Sequence, residues 1–174
     1  KKVPNERKIS QAEFRASLLV KASEKHKRIV LSEGNEPRTI EAAILAYERK
    51  IAIPVLLGNR KEIEEIARAK NLTIPEGLEI LEVTEESGEK YVPTLVELRK
   101  AKGMTEELAT NLLKDSVWLG TMMLKMGEVD GLVSGAVHST ADTVRPALQI
   151  IKTAKGVKSI SSVFFMCLPS ETLV

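Results

Sequence analysis

Apolar residues recur along the chain in two patterns, as short continuous runs and as longer segments with a spacing of three and four. The short runs predict strands, because a strand that is buried on both faces reads as an unbroken apolar run. The spaced segments predict amphipathic helices. Strands are predicted at 29–31, 51–57, 78–83, 129–135 with an exit loop, and 159–168, and helices at 11–22, 37–47, 60–70, 88–126 in three parts, and 141–152.

Local signals predict where several of these helices begin and end. Ser10 opens the first helix with a capping-box pattern. Gly103 and Gly120 are expected to divide the long helical stretch, and Thr105 and Ser116 are expected to cap the helices that follow.

Strands and helices alternate along the chain, which is typical of one architecture. The order predicts a parallel sheet covered by helices, a three-layer, Rossmann-like α/β fold. We expect an N-terminal helix and linker at 1–26 and a first α/β domain at 27–153. Residues 154–174 are expected to hold only the first strand of a truncated second α/β domain, because the predicted strand lies so close to the last residue.

The composition is that of an ordinary globular protein and disfavours several classes. The 174 residues carry 26 basic and 24 acidic side chains with the signs interspersed, and only 3% are aromatic, so nucleic-acid binding is not expected. No apolar run approaches the roughly 20 residues that a membrane span needs. Residues 1–24 lack the apolar stretch of a secretory signal. We therefore expect a cytoplasmic protein with no membrane partner.

Two residue types that often carry chemistry are scarce. Cys167 is the only cysteine and lies in an apolar run, which excludes an internal disulfide and favours a buried thiol over a reactive nucleophile. His138, taken alone, is interpreted as a hydrogen-bonded loop residue rather than a catalytic base. No metal site is predicted, because no second histidine or clustered cysteine accompanies it. The Gly-x-Ser-x-Gly elbow of serine hydrolases is absent.

Two loops at predicted strand ends are the candidates for ligand binding, because open parallel sheets bind ligands outside the carboxyl ends of their strands. The first loop, 32–39, holds one glycine and the carboxylates Glu33 and Glu36. These carboxylates would repel a pyrophosphate, so a nicotinamide cofactor is disfavoured. The favoured interpretation is the capped start of a helix with Pro37 in its first turn.

The second loop, 134–146, combines a glycine, four hydroxyls and Arg145 between a strand end and a helix. These are the components of an anion site. Either Ser139 and Asp142 cap a helix that Pro146 then kinks, or Pro146 is itself the first helical residue. A purely structural alternative is that the hydroxyls only cap the helix and Arg145 pairs with a carboxylate.

Three segments occur in a fixed order: IVLSEGNEPRT at 29–39, VELRKAKGMT at 96–105, and VDGLVSGAVHS at 129–139, which continues as DTVRPALQ at 142–149 and IKT at 151–153. Together they resemble the signature of the phosphate acetyltransferases. The similarity extends from about residue 10 to the last residue. The chain is most similar to the N-terminal half of the catalytic region in the long bacterial form, which has further N-terminal domains.

The resemblance implies a homodimer that transfers an acetyl group reversibly between coenzyme A and inorganic phosphate, with two α/β domains facing across a cleft. Acetyl-CoA is then a substrate, and no permanently bound cofactor or metal is expected. For Arg99, the alternative from the residues alone is a solvent-facing arginine at a helix end. The substrate-binding residues that the resemblance implies are Arg145, Arg99, Ser134, Gly135, Ser139 and Thr140.

The family's catalytic serine, arginine and aspartate belong to a later segment, so no catalytic residue is expected before Val174. The 174-residue fragment alone is therefore expected to be inactive. It is also expected to self-associate, because the predicted strand 159–168 would otherwise expose an unpaired edge and apolar faces. Three alternatives stay open. They are a phosphate butyryltransferase, a non-catalytic acetyl-CoA sensing domain similar to the one fused to malic enzymes, and a unit for dimerisation and packing.

Overall fold

The computed structural model describes residues 10–168 and 172–173. Within them, no helix is both long enough and apolar enough to pass through a bilayer. The helices are α1 Gln11–Lys25, α2 Pro37–Glu48, α3 Arg60–Ala69, α4 Glu85–Glu89, α5 Val92–Arg99, α6 Glu106–Leu112, α7 Ser116–Lys125 and α8 Thr140–Ile150. The strands are β1 Arg28–Leu31, β2 Ile53–Leu57, β3 Glu79–Leu81, β4 Gly131–Val133, β5 Met166–Cys167 and β6 Thr172–Leu173.

Four of these strands form one sheet in the order β3-β2-β1-β4, and all its strand pairs are parallel. β1 lies inside the sheet, where Val30 is opposite Val55 of β2 and Leu132 of β4. The chain builds β2 and β3 on one side of β1 and then crosses to the other side for β4. The ends of β1 and β4 therefore flank the switch point, where open α/β folds bind ligands. The predicted parallel α/β fold is confirmed.

Helices cover both faces of the sheet, which gives the predicted three layers. On one face, α2 and α3 bury Ile40, Ile44 and Ile63 against Leu56 and Ile80 of the strands. The other face packs against α5, α6, α7 and α8. Burying one such side chain contributes about 1.5–3 kcal/mol, so these two clusters hold the layers together. The second cluster includes Val30, Val55, Leu57, Leu95, Ala109, Leu119 and Ile150.

Gly120 lies inside α7, so the prediction that it divides the helical stretch is wrong. A Cβ atom at Gly120 would lie 2.9 Å from Leu132 Cδ1 and 3.4 Å from Leu57 Cδ1. The missing side chain lets α7 approach the sheet closely. Asp115, rather than Ser116, caps α7 by accepting hydrogen bonds from the first turn.

Other predicted helix starts agree with the structure. Ser10 and Glu13 form a complete capping box at the start of α1. Thr105 caps α6 by accepting a hydrogen bond from Leu108 N. Gly103 takes a left-handed φ of 77° at the end of the short turn that follows α5. These ends depend on local contacts, which explains why the sequence predicts them.

The predicted strand 159–168 is wrong over most of its length. Only Met166–Cys167 is a strand, and it pairs antiparallel with β6. Within the described residues, 159–165 pair with no neighbouring strand. Phe164 is 79% exposed. The ring centroid of the next residue, Phe165, lies 5.1 Å from that of Phe14 in α1.

Cys167 is half-buried rather than buried. The proposed domain limits near residues 27 and 154 stay a prediction.

Candidate functional site

A cavity of about 630 Å³ opens at the carboxyl edge of the sheet. Residues that follow β1, β2 and β3 line it, together with the start of α7 and the loop between β4 and α8. The cavity therefore lies where the switch-point rule places a ligand. Its polar lining includes Ser32, Glu33, Asn35, Asp115 and His138.

The β1–α2 loop turns tightly against the neighbouring strand. Gly34 N–H donates to Leu57 O at 2.9 Å, and a Cβ atom at Gly34 would lie 2.5 Å from that oxygen. Glycine is required by this close approach. Glu36 then caps α2 by accepting from Thr39 N at 3.0 Å, with Pro37 as the first helical residue. The predicted capped helix start is confirmed.

We expect Gly34→Ala to lower the free energy of unfolding by about 1–3 kcal/mol, because the new methyl group would overlap a backbone oxygen. Gly131→Ala is the matched control. Its Cβ atom would meet only Ile29 Cδ1, at 3.0 Å, and the end of that flexible side chain can move aside. Urea unfolding of the parent and both variants measures the difference. A Gly34→Ala midpoint equal to that of the parent would show that the loop shifts without cost.

The carboxylate of Glu33 occupies the concave side of the loop between β4 and α8. The side chain is only 5% exposed. Its Oε2 accepts from the backbone N–H of Gly135 at 3.0 Å and of Ala136 at 2.7 Å. Its Oε1 accepts from Val137 N at 2.8 Å and His138 N at 2.7 Å. Successive backbone N–H groups of this kind form an anion-binding nest. The loop binds an internal carboxylate through its backbone, whereas the ligand-anion site suggested by its hydroxyls and Arg145 stays a prediction.

These contacts determine the ionisation of Glu33. Burial by itself would raise the pKa of this carboxyl, because it removes water from the charged form. Hydrogen bonds from the backbone of His138, Val137 and Ala136 and from the His138 ring outweigh that cost and lower the pKa from 4.5 to about 2. Glu33 is therefore ionised at neutral pH despite its burial.

The ring of His138 is oriented by the same carboxylate. Nδ1 lies 2.9 Å from Glu33 Oε1. An ionised carboxylate only accepts hydrogen bonds, so Nδ1 carries the hydrogen. Nε2 lies 3.7 Å from Asp115 Oδ2, and the side chain, which is 26% exposed, lines the cavity. His138 is thus a hydrogen-bonded loop residue, as predicted, and one with a fixed orientation.

The start of α8 decides between the two alternatives for this helix. Ser139 Oγ accepts from Asp142 N at 3.2 Å and donates to Asp142 Oδ2 at 2.6 Å. α8 begins at Thr140, and Pro146 lies within it. The alternative with a cap at Ser139 is confirmed, and the one that starts the helix at Pro146 is wrong.

The four loop residues among the predicted substrate-binding residues lie close together. Gly135 has a φ of 112° and directs its N–H to Glu33. Ser134 Oγ accepts from the Thr143 hydroxyl at 3.4 Å. Ser139 and Thr140 form the start of α8. None of these four, and neither predicted arginine, is among the described residues that line the cavity.

The two predicted arginines lie on helices that pack against each other, α5 and α8. Arg145 is exposed on α8 and pairs with Asp142 at 3.5 Å, which is the contact that the structural alternative predicts. Arg99 is the last residue of α5 and is half-buried rather than solvent-facing. Its Nε atom is buried and has no hydrogen-bond partner within residues 10–168. An exposed ion pair stabilises a protein little, so the Arg145 guanidinium is available to a stronger anion.

Two residues of the site have roles that the sequence analysis does not predict. The sequence suggests only a repulsive role for Glu33, whereas the structure makes it the anchor of the β4–α8 loop. Ser32 is 1% exposed and lines the cavity, and its Oγ atom has no partner among the described residues. Both follow β1, so the adjacency of β1 and β4 is the information that would have identified them. Within residues 10–168 no three His, Cys, Asp or Glu side chains are placed to hold a metal ion.

The fold and the cavity define an open, parallel α/β protein with a candidate ligand site at its switch point. The family model for phosphate acetyl/butaryl transferase matches residues 13–174. The chain belongs to this family, and the resemblance found in the sequence is confirmed.

The chain is similar to several named relatives over nearly its whole length. It is 55% identical over 172 residues to phosphate acetyltransferase of Deinococcus radiodurans, covering 99% of this chain and 24% of that protein. The same enzyme from Escherichia coli K12 is 54% identical over 168 residues, covering 97% of this chain and 23% of that protein. The chain thus spans about a quarter of the length of these curated relatives.

Two solved structures share the fold. The EutD phosphotransacetylase from Staphylococcus aureus superposes with a TM-score of 0.84 at 41% identity, covering 94% of this chain and 49% of that chain. A phosphotransacetylase from Streptococcus pyogenes superposes with a TM-score of 0.80 at 37% identity, covering 87% of this chain and 46% of that chain.

Proposed function

We propose that this protein transfers an acetyl group reversibly between coenzyme A and inorganic phosphate. The observation that carries the proposal is the identity of 50–55% to relatives named phosphate acetyltransferase, over nearly the whole chain. Acetyl-CoA is a substrate in this proposal, and no cofactor is bound permanently. The β4–α8 connection supports the proposal, because it places Ser134, Gly135, Ser139 and Thr140 at the carboxyl edge of the sheet, where open parallel folds bind ligands.

The proposed substrate-binding groups are those implied by the resemblance. Coenzyme A and phosphate are both anionic, so positive groups and N–H donors are needed to position them. Arg145 offers an exposed guanidinium on α8, and Arg99 offers a buried Nε atom that has no partner among the described residues. Ser134, Ser139 and Thr140 add hydroxyl groups, and Gly135 shapes the loop, because its own N–H is used by Glu33.

In the proposed reaction a phosphate oxygen attacks the carbonyl carbon of the thioester. The carbon–sulfur bond breaks, and the coenzyme A thiolate leaves and takes up the proton that hydrogen phosphate loses on becoming acetyl phosphate. The residues of this chain bind and orient the two substrates, which turns an encounter of two molecules into a positioned reaction. We place the groups that assist the leaving thiolate in the part of the relatives that this chain does not span.

The family description names both acetyl and butyryl groups. We favour acetyl because the relatives from Deinococcus radiodurans and Escherichia coli are named for it. The test is phosphate-dependent release of coenzyme A from acetyl-CoA and butyryl-CoA by the longest polypeptide that the gene encodes. Faster turnover of acetyl-CoA supports the proposal, and faster turnover of butyryl-CoA contradicts it. Binding of acetyl-CoA without any turnover would instead indicate a sensing domain.

Residues 1–174 alone are expected to show no phosphate-dependent acetyl transfer, because catalysis needs both walls of a cleft. The purified fragment should still bind acetyl-CoA weakly through the arginines and the β4–α8 loop. The same coenzyme A release assay and a calorimetric titration measure these two properties. Turnover by the fragment above background would show that the catalytic groups lie within this chain.

We also propose a cytoplasmic homodimer. α1 exposes Leu18, Leu19 and Val20 to solvent, and several apolar side chains within 157–168 are exposed as well. Exposed apolar surface of this kind is often covered by a partner. We therefore expect a dimer by light scattering, and a monodisperse monomer at high concentration would contradict this. The cytoplasmic location rests on the use of coenzyme A as a substrate.

A further inference from the structure

The loop between β4 and α8, together with the first residue of α8, carries four of the six proposed substrate-binding residues, and the shape of the loop depends on one carboxylate. Four consecutive backbone N–H groups, from Gly135 to His138, converge on Glu33. Backbone groups of a surface loop usually bond to water or to the loop itself. Here both carboxylate oxygens are fully used, because each accepts two backbone hydrogen bonds and Oε1 also accepts from the His138 ring.

The strand order makes this contact possible. Glu33 follows β1 after one residue, and the loop follows β4, which is the parallel neighbour of β1. The positive φ of Gly135 turns the loop so that its N–H groups face the same point. A second contact involves a hydrogen-bond acceptor of the loop, because the Arg38 guanidinium donates to Ala136 O at 3.1 Å. The loop is thus held at its N–H groups and at a carbonyl group.

The contact also determines what His138 offers to the cavity. Nδ1 is committed to Glu33, so Nε2 is the nitrogen left for a ligand. The carboxylate of Asp115 lies beside Nε2, with Oδ2 3.7 Å away and with Oδ1 capping α7. A fixed ring orientation of this kind is what a carboxylate supplies to histidines at functional sites.

We propose that Glu33 is a positioning residue for the reaction, which fixes the 134–139 loop and directs Nε2 of His138 into the cavity. The inference rests on the proposed function. Glu33 itself contacts no substrate in this proposal, because its oxygens are saturated by the protein. It acts through the loop backbone and through His138.

A merely structural carboxylate would behave differently in kinetic measurements. Its loss would lower stability, but the protein that stays folded would keep its kcat and KM. A positioning residue changes kcat/KM in fully folded protein, since a displacement of about 1 Å can cost up to about a hundredfold. The conservative Glu33→Asp retains the charge with a shorter reach and should recover part of the loss.

The experiment compares Glu33→Gln, Glu33→Asp, His138→Gln and the double variant Glu33→Gln/His138→Gln in the longest encoded polypeptide. Asp130→Asn is the matched control, because Asp130 also accepts a backbone N–H and a side-chain N–H, from Arg28 and Lys27, at the opposite edge of the sheet. Kinetics with acetyl-CoA and phosphate are measured well below every melting temperature. Amide hydrogen exchange of residues 135–138 is measured on the same samples.

We expect Glu33→Gln to lower kcat/KM by about 10- to 100-fold, Glu33→Asp to lower it less, and Asp130→Asn to leave it unchanged. The double variant should lose little more than the greater of the two single losses, because the two residues act as a unit. Parent kinetics in folded Glu33→Gln would overturn the inference. If the two single losses in kcat/KM multiply in the double variant, Glu33 does not act through His138.

Hydrogen exchange separates failure of this inference from failure of the proposed function. A parent protein without acetyl transfer would contradict the proposed function alone. In that event the inference is judged by the four loop amides and by acetyl-CoA binding in a calorimetric titration. The inference is supported if the 135–138 amides exchange slowly in the parent and in Asp130→Asn but fast in Glu33→Gln, and if Glu33→Gln binds acetyl-CoA more weakly than the parent. Fast exchange in the parent, or unchanged binding, overturns it.

Discussion

Replacing Glu33 with glutamine is expected to lower the free energy of unfolding at neutral pH by about 3 kcal/mol. The pKa of this buried carboxyl falls from 4.5 to about 2 in the folded protein, and each pKa unit corresponds to about 1.4 kcal/mol. Glutamine keeps the shape of the side chain but directs an NH2 group at N–H donors, so several contacts of the loop are lost. Urea unfolding followed by the fluorescence of Trp118 measures the difference.

The same contact predicts how stability depends on pH. A carboxyl group whose pKa is lower in the folded state contributes stability that is fully present above its unfolded pKa and is lost as the pH falls through its folded pKa. For Glu33 this window extends from about 4.5 down to about 2. The stability difference between the parent and Glu33→Gln should therefore shrink as the pH falls through the window. A difference that stays constant would contradict the contribution assigned to the ionised carboxylate.

Asp130→Asn is again the matched control. The hydrogen bond from Lys27 and the one from the Arg28 backbone lower the pKa of Asp130 as well. Asp130 is exposed to solvent, however, and water screens its interactions, so its replacement should destabilise the protein much less. If both variants were equally destabilised, burial of Glu33 among backbone N–H groups would not be the cause.

The sequence predicts those features of the fold that depend on neighbouring residues. Capping by Ser10 and Thr105 and the start of α2 at Pro37 require contacts within one turn, and all are observed. Gly120 fails as a helix breaker because its role is tertiary, namely to let α7 approach the sheet. The segment 159–165 fails as a strand because a strand needs a neighbour, which an apolar run cannot specify.

The site is predicted in part for a similar reason. The two candidate loops follow from the ends of predicted strands, but the second loop holds Glu33 through backbone N–H groups rather than through the hydroxyls and arginine that suggested an anion site. That both loops meet follows from the order β3-β2-β1-β4, which periodicity does not reveal. Without that order, Glu33 is only a carboxylate that repels anions. With it, Glu33 is the anion that the other loop binds.

Arg145→Ala is expected to lower kcat/KM for phosphate or for coenzyme A by about ten- to more than a hundredfold in the longest encoded polypeptide. One charge-assisted hydrogen bond is worth roughly 1.5–3 kcal/mol, which gives that range. Arg145→Lys keeps the charge but loses the planar arrangement of donors, so it should recover only part of the loss. Saturation curves for phosphate and for coenzyme A, measured beside thermal melts, give both quantities.

The stability of the Arg145 variants distinguishes ligand binding from a structural role. The pair with Asp142 at 3.5 Å is exposed, so its loss should change the melting temperature little. Arg60→Ala is the control, because Arg60 forms a comparable exposed pair with Glu64 at 3.7 Å on α3, beside one long hydrogen bond to Ile80 O at 3.4 Å. We expect Arg60→Ala to leave both saturation curves unchanged. A lower melting temperature with normal kinetics in Arg145→Ala would mean that Arg145 stabilises α8 and does not bind the substrates.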